Sequence, residues 1–235
     1  MNPIIEIVVL IVVGFIAGAI NTIAGGGSLL ALPILIFLGL PPNIANGTNR
    51  IAIIFQNIFT TAGFKSKGVK TFPFSIYVGI SALIGAIIGA QIAVDVKGET
   101  FNKILAVIMV VVVLYMVFKS KFKHINDVEK TTGKHLWLSI VLFFFVGIYG
   151  GFIQAGVGFL MLLVLSGVNH FSLVKSNAIK TVVTGIYTIF AVIIFVLNDK
   201  MNWEYGLVLA FGNALGGWFT SRWSVSKGDG PIKIF

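Results

Sequence analysis

There is no cysteine among the 235 residues. That excludes disulfides, cysteine-ligated metals and a thiol nucleophile. Charge is scarce too. Only 11% of residues are Asp, Glu, Lys or Arg, where an ordinary soluble domain carries about 25%. Acidic residues are the scarcest, 8 against 17 basic ones, and Glu6, Asp95, Glu99, Asp199 and Glu204 all fall near the ends of apolar runs. The three histidines, His124, His135 and His170, have no mutual spacing suited to a metal. No His-Glu-x-x-His, Gly-x-Ser-x-Gly or Walker sequence occurs. An intramembrane hydrolase needs a buried carboxylate pair or a serine with a base, and neither is visible. The chain is therefore not expected to be an enzyme, and no cofactor or metal is expected.

What the chain has instead is apolar surface: 57% of residues are hydrophobic and mean hydropathy is +1.00. A soluble core cannot use that much; a bilayer can. Several runs reach the ~20 apolar residues that cross a ~30 Å hydrocarbon layer. The expected fold class is an all-α polytopic membrane protein, one transmembrane domain over residues 1–235. The net charge of +9 would point to nucleic acid in a soluble protein. Here the basic residues sit in short loops between apolar runs, as topology-setting charge does, and no nucleic-acid partner is expected. The stretch 4–24 lacks a basic flank and leads into a glycine break, so it reads as a retained helix rather than a signal peptide.

One pattern appears twice, from Gly14 to Ile51 and from Gly147 to Val182. Each copy is an apolar helix, a glycine break (Gly25-Gly26-Gly27 or Gly156-Val157-Gly158) and a short apolar segment. Asn46 then leads to Asn49-Arg50, and Asn177 to Lys180. Such a repeat sets the architecture. Repeat one is read as 4–118, a cytoplasmic linker as 119–134 and repeat two as 135–235. In order, the expected helices are 4–24, a short segment 29–40, then 44–64, 72–94, 101–118, 135–153, a short segment to 165, 172–197 and 203–222. The segment 29–40 makes only about 18 Å of helix, too short to cross, so it reads as re-entrant, a form tolerated only inside protein or along a cavity. Lys97-Gly98-Glu99 is echoed by Lys227-Gly228-Asp229. In the first half that match opens a full helix, so a final helix is expected to be missing from the second.

Basic loops at Lys65/Lys67/Lys70 and Lys119/Lys121/Lys123 read as cytoplasmic. In the second half the pattern swaps: 198–202, matching the basic 65–70 loop, is near neutral, and 222–233, matching the near-neutral 95–100 loop, is basic. The two repeats are therefore expected to be inverted, the arrangement of secondary transporters built on broken helices. Both glycine breaks would then reach the midplane from opposite sides. A helix N-terminus presents unpaired N–H groups and about half a positive charge, which makes an anion site of backbone. Ser28 could add a hydroxyl, and Asn21 and Gln154 stand in matching positions before the breaks.

Arg50 and Lys180 lie inside the helices that follow, with no acidic residue at comparable depth. Charges there face a cavity or a partner, and an anionic ligand would supply the missing negative charge. Blander roles compete. Gly14, Gly18, Gly147 and Gly151 read as packing positions. Arg50 could snorkel to an interface. Asn46 and Asn177 could be helix N-caps or interhelical glue. Small-residue faces at Gly85/Gly89/Ala90 and Gly212/Gly216/Gly217 would serve internal packing or a homo-oligomer.

These residues resemble a known family. Gly14-x-x-x-Gly18-x-Ile-Asn21-x-x-Ala-Gly25-Gly26-Gly27-Ser28-Leu-Leu with Asn46-Gly47-Thr48-Asn49-Arg50 is similar to the first repeat of the sulfite exporter TauE/SafE family. Lys175-Ser176-Asn177-Ala178-Ile179-Lys180 and Gly212-Asn213-Ala214-Leu215-Gly216-Gly217 resemble its second repeat. The resemblance implies a bacterial or archaeal inner-membrane permease for sulfite or another sulfur-containing organic anion.

The function expected is alternating-access transport of a small anion, sulfite or an organosulfonate, with one half rocking against the other. The candidate substrate contacts are Asn21, Gly25, Gly26, Gly27, Ser28, Asn46, Asn49, Arg50, Gln154, Gly156, Gly158, Asn177 and Lys180, with the lipid bilayer as the surrounding partner. A non-transporting scaffold or assembly factor is the alternative, and it would not need inward glycine breaks or buried cations.

Overall fold

A computed structural model describes residues 3–118 and 128–232. Lys119, Lys121, Lys123 and His124 of the expected linker, and the last residues of the echoed end, lie outside them. Ten helices and no strand occur among the described residues: α1 Pro3–Ile23, α2 Ser28–Phe37, α3 Pro42–Ser66, α4 Phe74–Asp95, α5 Gly98–Phe118, α6 Gly133–Phe152, α7 Val157–Gly167, α8 Leu173–Leu197, α9 Trp203–Lys227 and α10 Asp229–Ile232. The chain is all-helical, as the sequence implies.

Local chemistry sets the boundaries. Pro42 opens α3, where a missing N–H costs nothing. The Ser172 hydroxyl caps α8 by accepting from the Lys175 N–H, and the Asn202 carboxamide caps α9 by accepting from the Tyr205 N–H. Only Val96 and Lys97 separate α4 from α5, so the polar loop expected over Asp95–Thr100 is mostly helix. Likewise α9 runs past Arg222 to Lys227.

Four helices, α1, α4, α6 and α8, are long and apolar enough to cross a membrane. Helices α3 and α9 are as long as α8, 25 residues each, but carry polar side chains turned inward. The distribution is inside-out for a soluble protein. Ile80, Ile84 and Ile88 on α4, Phe145 on α6 and Phe211 and Phe219 on α9 face outward, while Asn46, Asn49, Arg50, Gln56, Asn177, Lys180 and Asn213 are buried. A bilayer makes that arrangement stable, because exposed apolar surface costs nothing in lipid and polar groups must find partners inside.

Helix pairing is reciprocal between the repeats. Helix α1 packs on α9, and α6 packs on α4. Each seam is built on glycine. A Cβ at Gly14 would stand 2.6 Å from the Leu209 carbonyl oxygen, and one at Gly147 would stand 2.1 Å from that of Ala82. From the other side, Gly212 and Gly216 meet Ile11 and Phe15, while Gly85 and Gly89 meet Phe144 and Ile148. These glycines let backbones touch, which is how helices associate where lipid supplies no hydrophobic drive.

Six of the seven long helices thus form two groups, α1 with α3 and α9, and α4 with α6 and α8, which meet chiefly where α3 packs against α8, while α5 touches α3. The groups do not follow the sequence halves. Each repeat lends its fourth helix to the other, because that is where the glycine faces of α1 and α6 find their counterparts.

Candidate functional site

The two glycine breaks meet at the centre. Helix α1 ends with the Ala24 N–H donating to the Ile20 carbonyl at 2.8 Å, and Gly25 then turns the chain at φ +84°. Gly156 makes the equivalent turn at φ +73°. Side chains rarely adopt these angles, so glycine is required. Gly25 and Gly158 abut so closely that a Cβ on Gly158 would lie 2.3 Å from the Gly25 Cα. The N-terminal ends of α2 and α7 therefore converge. Among the described residues, nothing accepts from the N–H groups of Gly26, Gly27 and Ser28, nor from those of Gly156, Val157 and Gly158, and all six residues are buried. These are the unpaired donors that a helix start leaves.

Around this centre the two cations hold matching posts. Arg50 Nη1 donates to the Gly150 carbonyl at 3.1 Å and Nη2 to the Gly151 carbonyl at 2.6 Å. Asn46 Nδ2 donates to the Phe152 carbonyl at 2.9 Å. Together they cap the C-terminus of α6, with the Arg50 guanidinium 4.7 Å from the Phe195 ring centroid. Across the seam, Lys180 Nζ donates to the Asn21 carbonyl at 2.7 Å and the Thr22 carbonyl at 3.3 Å, and Asn177 Nδ2 to the Ile23 carbonyl at 2.9 Å. That pair caps the C-terminus of α1. Lys180 also donates to Asn177 Oδ1 at 2.6 Å.

Two expectations change accordingly. Arg50 is 0% exposed, so it does not snorkel. Asn46 and Asn177 are interhelical contacts rather than N-caps, since α3 starts at Pro42 and Ser172 caps α8. The cations are not left waiting for a charge either, because helix C-terminal carbonyls face them. Each helix end contributes roughly half a unit charge. With both side chains protonated, two cations, two C-termini and the two N-termini of α2 and α7 sum to a net charge of roughly +2. No ion pair between either cation and a carboxylate occurs among the described residues.

The remaining candidates pair with neighbours. Asn49 Nδ2 donates to Ser28 Oγ at 3.0 Å, which ties α3 to the start of α2. Asn21 Nδ2 donates to Gln56 Oε1 at 3.0 Å, and Gln154 Nε2 to the Tyr187 hydroxyl at 3.0 Å. Gln56 and Tyr187 were not singled out by sequence. They occupy matching places on α3 and α8, and aligning the two repeats through Asn46 and Asn177 would have found them. Tyr187 reads as apolar, so hydropathy alone could not.

An apolar shell around a polar, basic interior, with two short helices abutting at their N-terminal ends, defines a polytopic membrane protein. The chain belongs to the sulfite exporter TauE/SafE family, whose model matches residues 10–235. Among curated relatives, it is 27% identical over 225 residues to the "Probable membrane transporter protein" of Haemophilus influenzae, covering 96% of this chain and 88% of that one. It is 28% identical to the "Probable membrane transporter protein YfcA" of Escherichia coli K12, covering 96% and 83%. A further relative, "Probable membrane transporter protein ORF9" of a Sinorhizobium species, is 26% identical, covering 95% and 85%. No solved structure matches the chain. It is a multi-pass membrane protein of a transporter family, placed in bacteria in the inner membrane.

Proposed function

We propose that the protein is a secondary transporter for a small anion, sulfite or an organosulfonate, working by alternating access. The observation that carries this reading is the convergence of two helix starts, with six unpaired N–H groups, in an interior of net positive field. Such a centre favours an anion and disfavours a cation. The family description supports a sulfur oxyanion. The ligand sits against Gly25–Ser28 and Gly156–Gly158, while Asn49 holds Ser28 in place.

Arg50 and Lys180 act chiefly as clasps in this reading. Each sits on one helix group and grips a helix end of the other. With the repeats inverted, the Arg50–Asn46 clasp lies toward one membrane face and the Lys180–Asn177 clasp toward the other. In this reading, both clasps closed together make the occluded state. Releasing one at a time opens the centre to alternate sides, with the rocking bodies being the α1/α3/α9 and α4/α6/α8 groups rather than the sequence halves. The bound anion offsets the positive field and so lowers the cost of exchanging clasps.

Flux into proteoliposomes tests this directly, with sulfite, sulfoacetate, sulfate, carboxylates and chloride as the panel. Selective uptake of a sulfur oxyanion is expected, abolished in Arg50→Ala and in Lys180→Ala. No flux of any anion from folded protein, or unchanged flux in both variants, would sink the reading.

A further inference from the structure

The seam between α3 and α8 carries polar groups that the clasps do not use. On α3, Asn57 stands two turns after Arg50, so the two share a face. On α8, Thr184 and Thr188 follow Lys180 at helical spacing along one face. Thr184 donates to the Met161 sulfur at 3.6 Å. Asn57 Nδ2 has no hydrogen-bond partner among the described residues, and Thr188 Oγ1 makes no close hydrogen bond and has only the Tyr187 hydroxyl, already paired with Gln154, as a loose neighbour, although Asn57 is 4% exposed and Thr188 0%. Asn57 packs against Gly185, whose missing Cβ would lie 3.5 Å from the Asn57 Cβ, one turn before Thr188. The two residues hold matching positions in the two repeats when α3 and α8 are aligned through Asn46 and Asn177.

A buried donor left unpaired is costly, and an unpaired amide facing an under-satisfied hydroxyl, at matched positions on facing helices, points to a partner that comes and goes. We infer that Asn57 and Thr188 form a contact station for the oxyanion on the seam between the two helix groups, between the Arg50 and Lys180 clasps. This rests on the transport reading. An amide N–H can only donate, which suits an anionic oxygen. A threonine hydroxyl both donates and accepts, so it takes a sulfur oxyanion with or without its proton. The contacts carry no charge, so they hold the anion less tightly than a fixed cation would and leave it free to move on.

The test is sulfite and chloride flux in proteoliposomes for wild type, Thr188→Val, Thr188→Ser and Asn57→Leu, each shown to be monodisperse. Thr188→Val keeps the side-chain shape, so it carries the test even where Asn57→Leu fails to fold. Losing a hydrogen bond to a charged oxygen is expected to cut sulfite flux about tenfold or more, with Thr188→Ser restoring it. Wild-type sulfite flux that is unchanged in Thr188→Val overturns the contact station and leaves the transport reading standing. A wild type that moves no anion overturns both.

Discussion

Arg50 and Lys180 point at backbone oxygens. That was only half legible in the sequence. A cation deep in an apolar run has to be buried and partnered, so their importance shows from position alone. Their partners did not show, because a helix C-terminus is made of carbonyls that every residue carries. The asparagines beside them are simpler to test. Asn46→Ala leaves the Phe152 carbonyl without its donor, and Asn177→Ala does the same to that of Ile23. Each loss should cost about 1 kcal/mol, the scale of an interhelical hydrogen bond in a membrane protein. A lowered unfolding temperature in detergent, similar for the two variants, is the expected result. A drop in only one would mean that the two caps are not equivalent.

Glycine decides the behaviour of the short helices. The triple glycine before α2 and the Gly-x-Gly before α7 announce breaks in the sequence, and the lengths of α2 and α7 follow from the apolar runs. What no pattern could say is that the two breaks touch. Gly25 and Gly158 are in backbone contact, and a methyl on either would fall within 2.4 Å of the other's Cα. Gly25→Ala and Gly158→Ala should therefore push α2 and α7 apart, abolishing flux and reducing the yield of folded protein. Gly167 is the control, since nothing stands within 4 Å of its added Cβ. Gly167→Ala should keep flux and stability at wild-type levels. The glycines of α1, α4, α6 and α9 look much the same in the sequence as those at the breaks. They turn out to be flat packing surfaces, a difference that depends on which helix lies opposite.

At the scale of the whole molecule, the repeat was visible but its consequence for packing was not. The sequence shows two similar halves, whereas the groups that form are mixtures of both. Charge placement predicts that the halves are inverted, and the absence of native cysteine makes this easy to check. Single cysteines at Lys67 and Lys227 should label from the same side of the membrane, and one at Asp199 from the opposite side. Labelling of all three from one side would contradict inversion. The exchange of helices also constrains how the protein is made. The glycine face of α1 is matched to α9, and about 180 residues lie between Ile23 and Trp203. At the usual ~5–20 residues per second of synthesis, α1 waits roughly 10–35 s in the bilayer before its neighbour exists. Assembly is then an event that follows insertion of the second half, and until it happens the buried polar face of α3 has to find temporary company elsewhere.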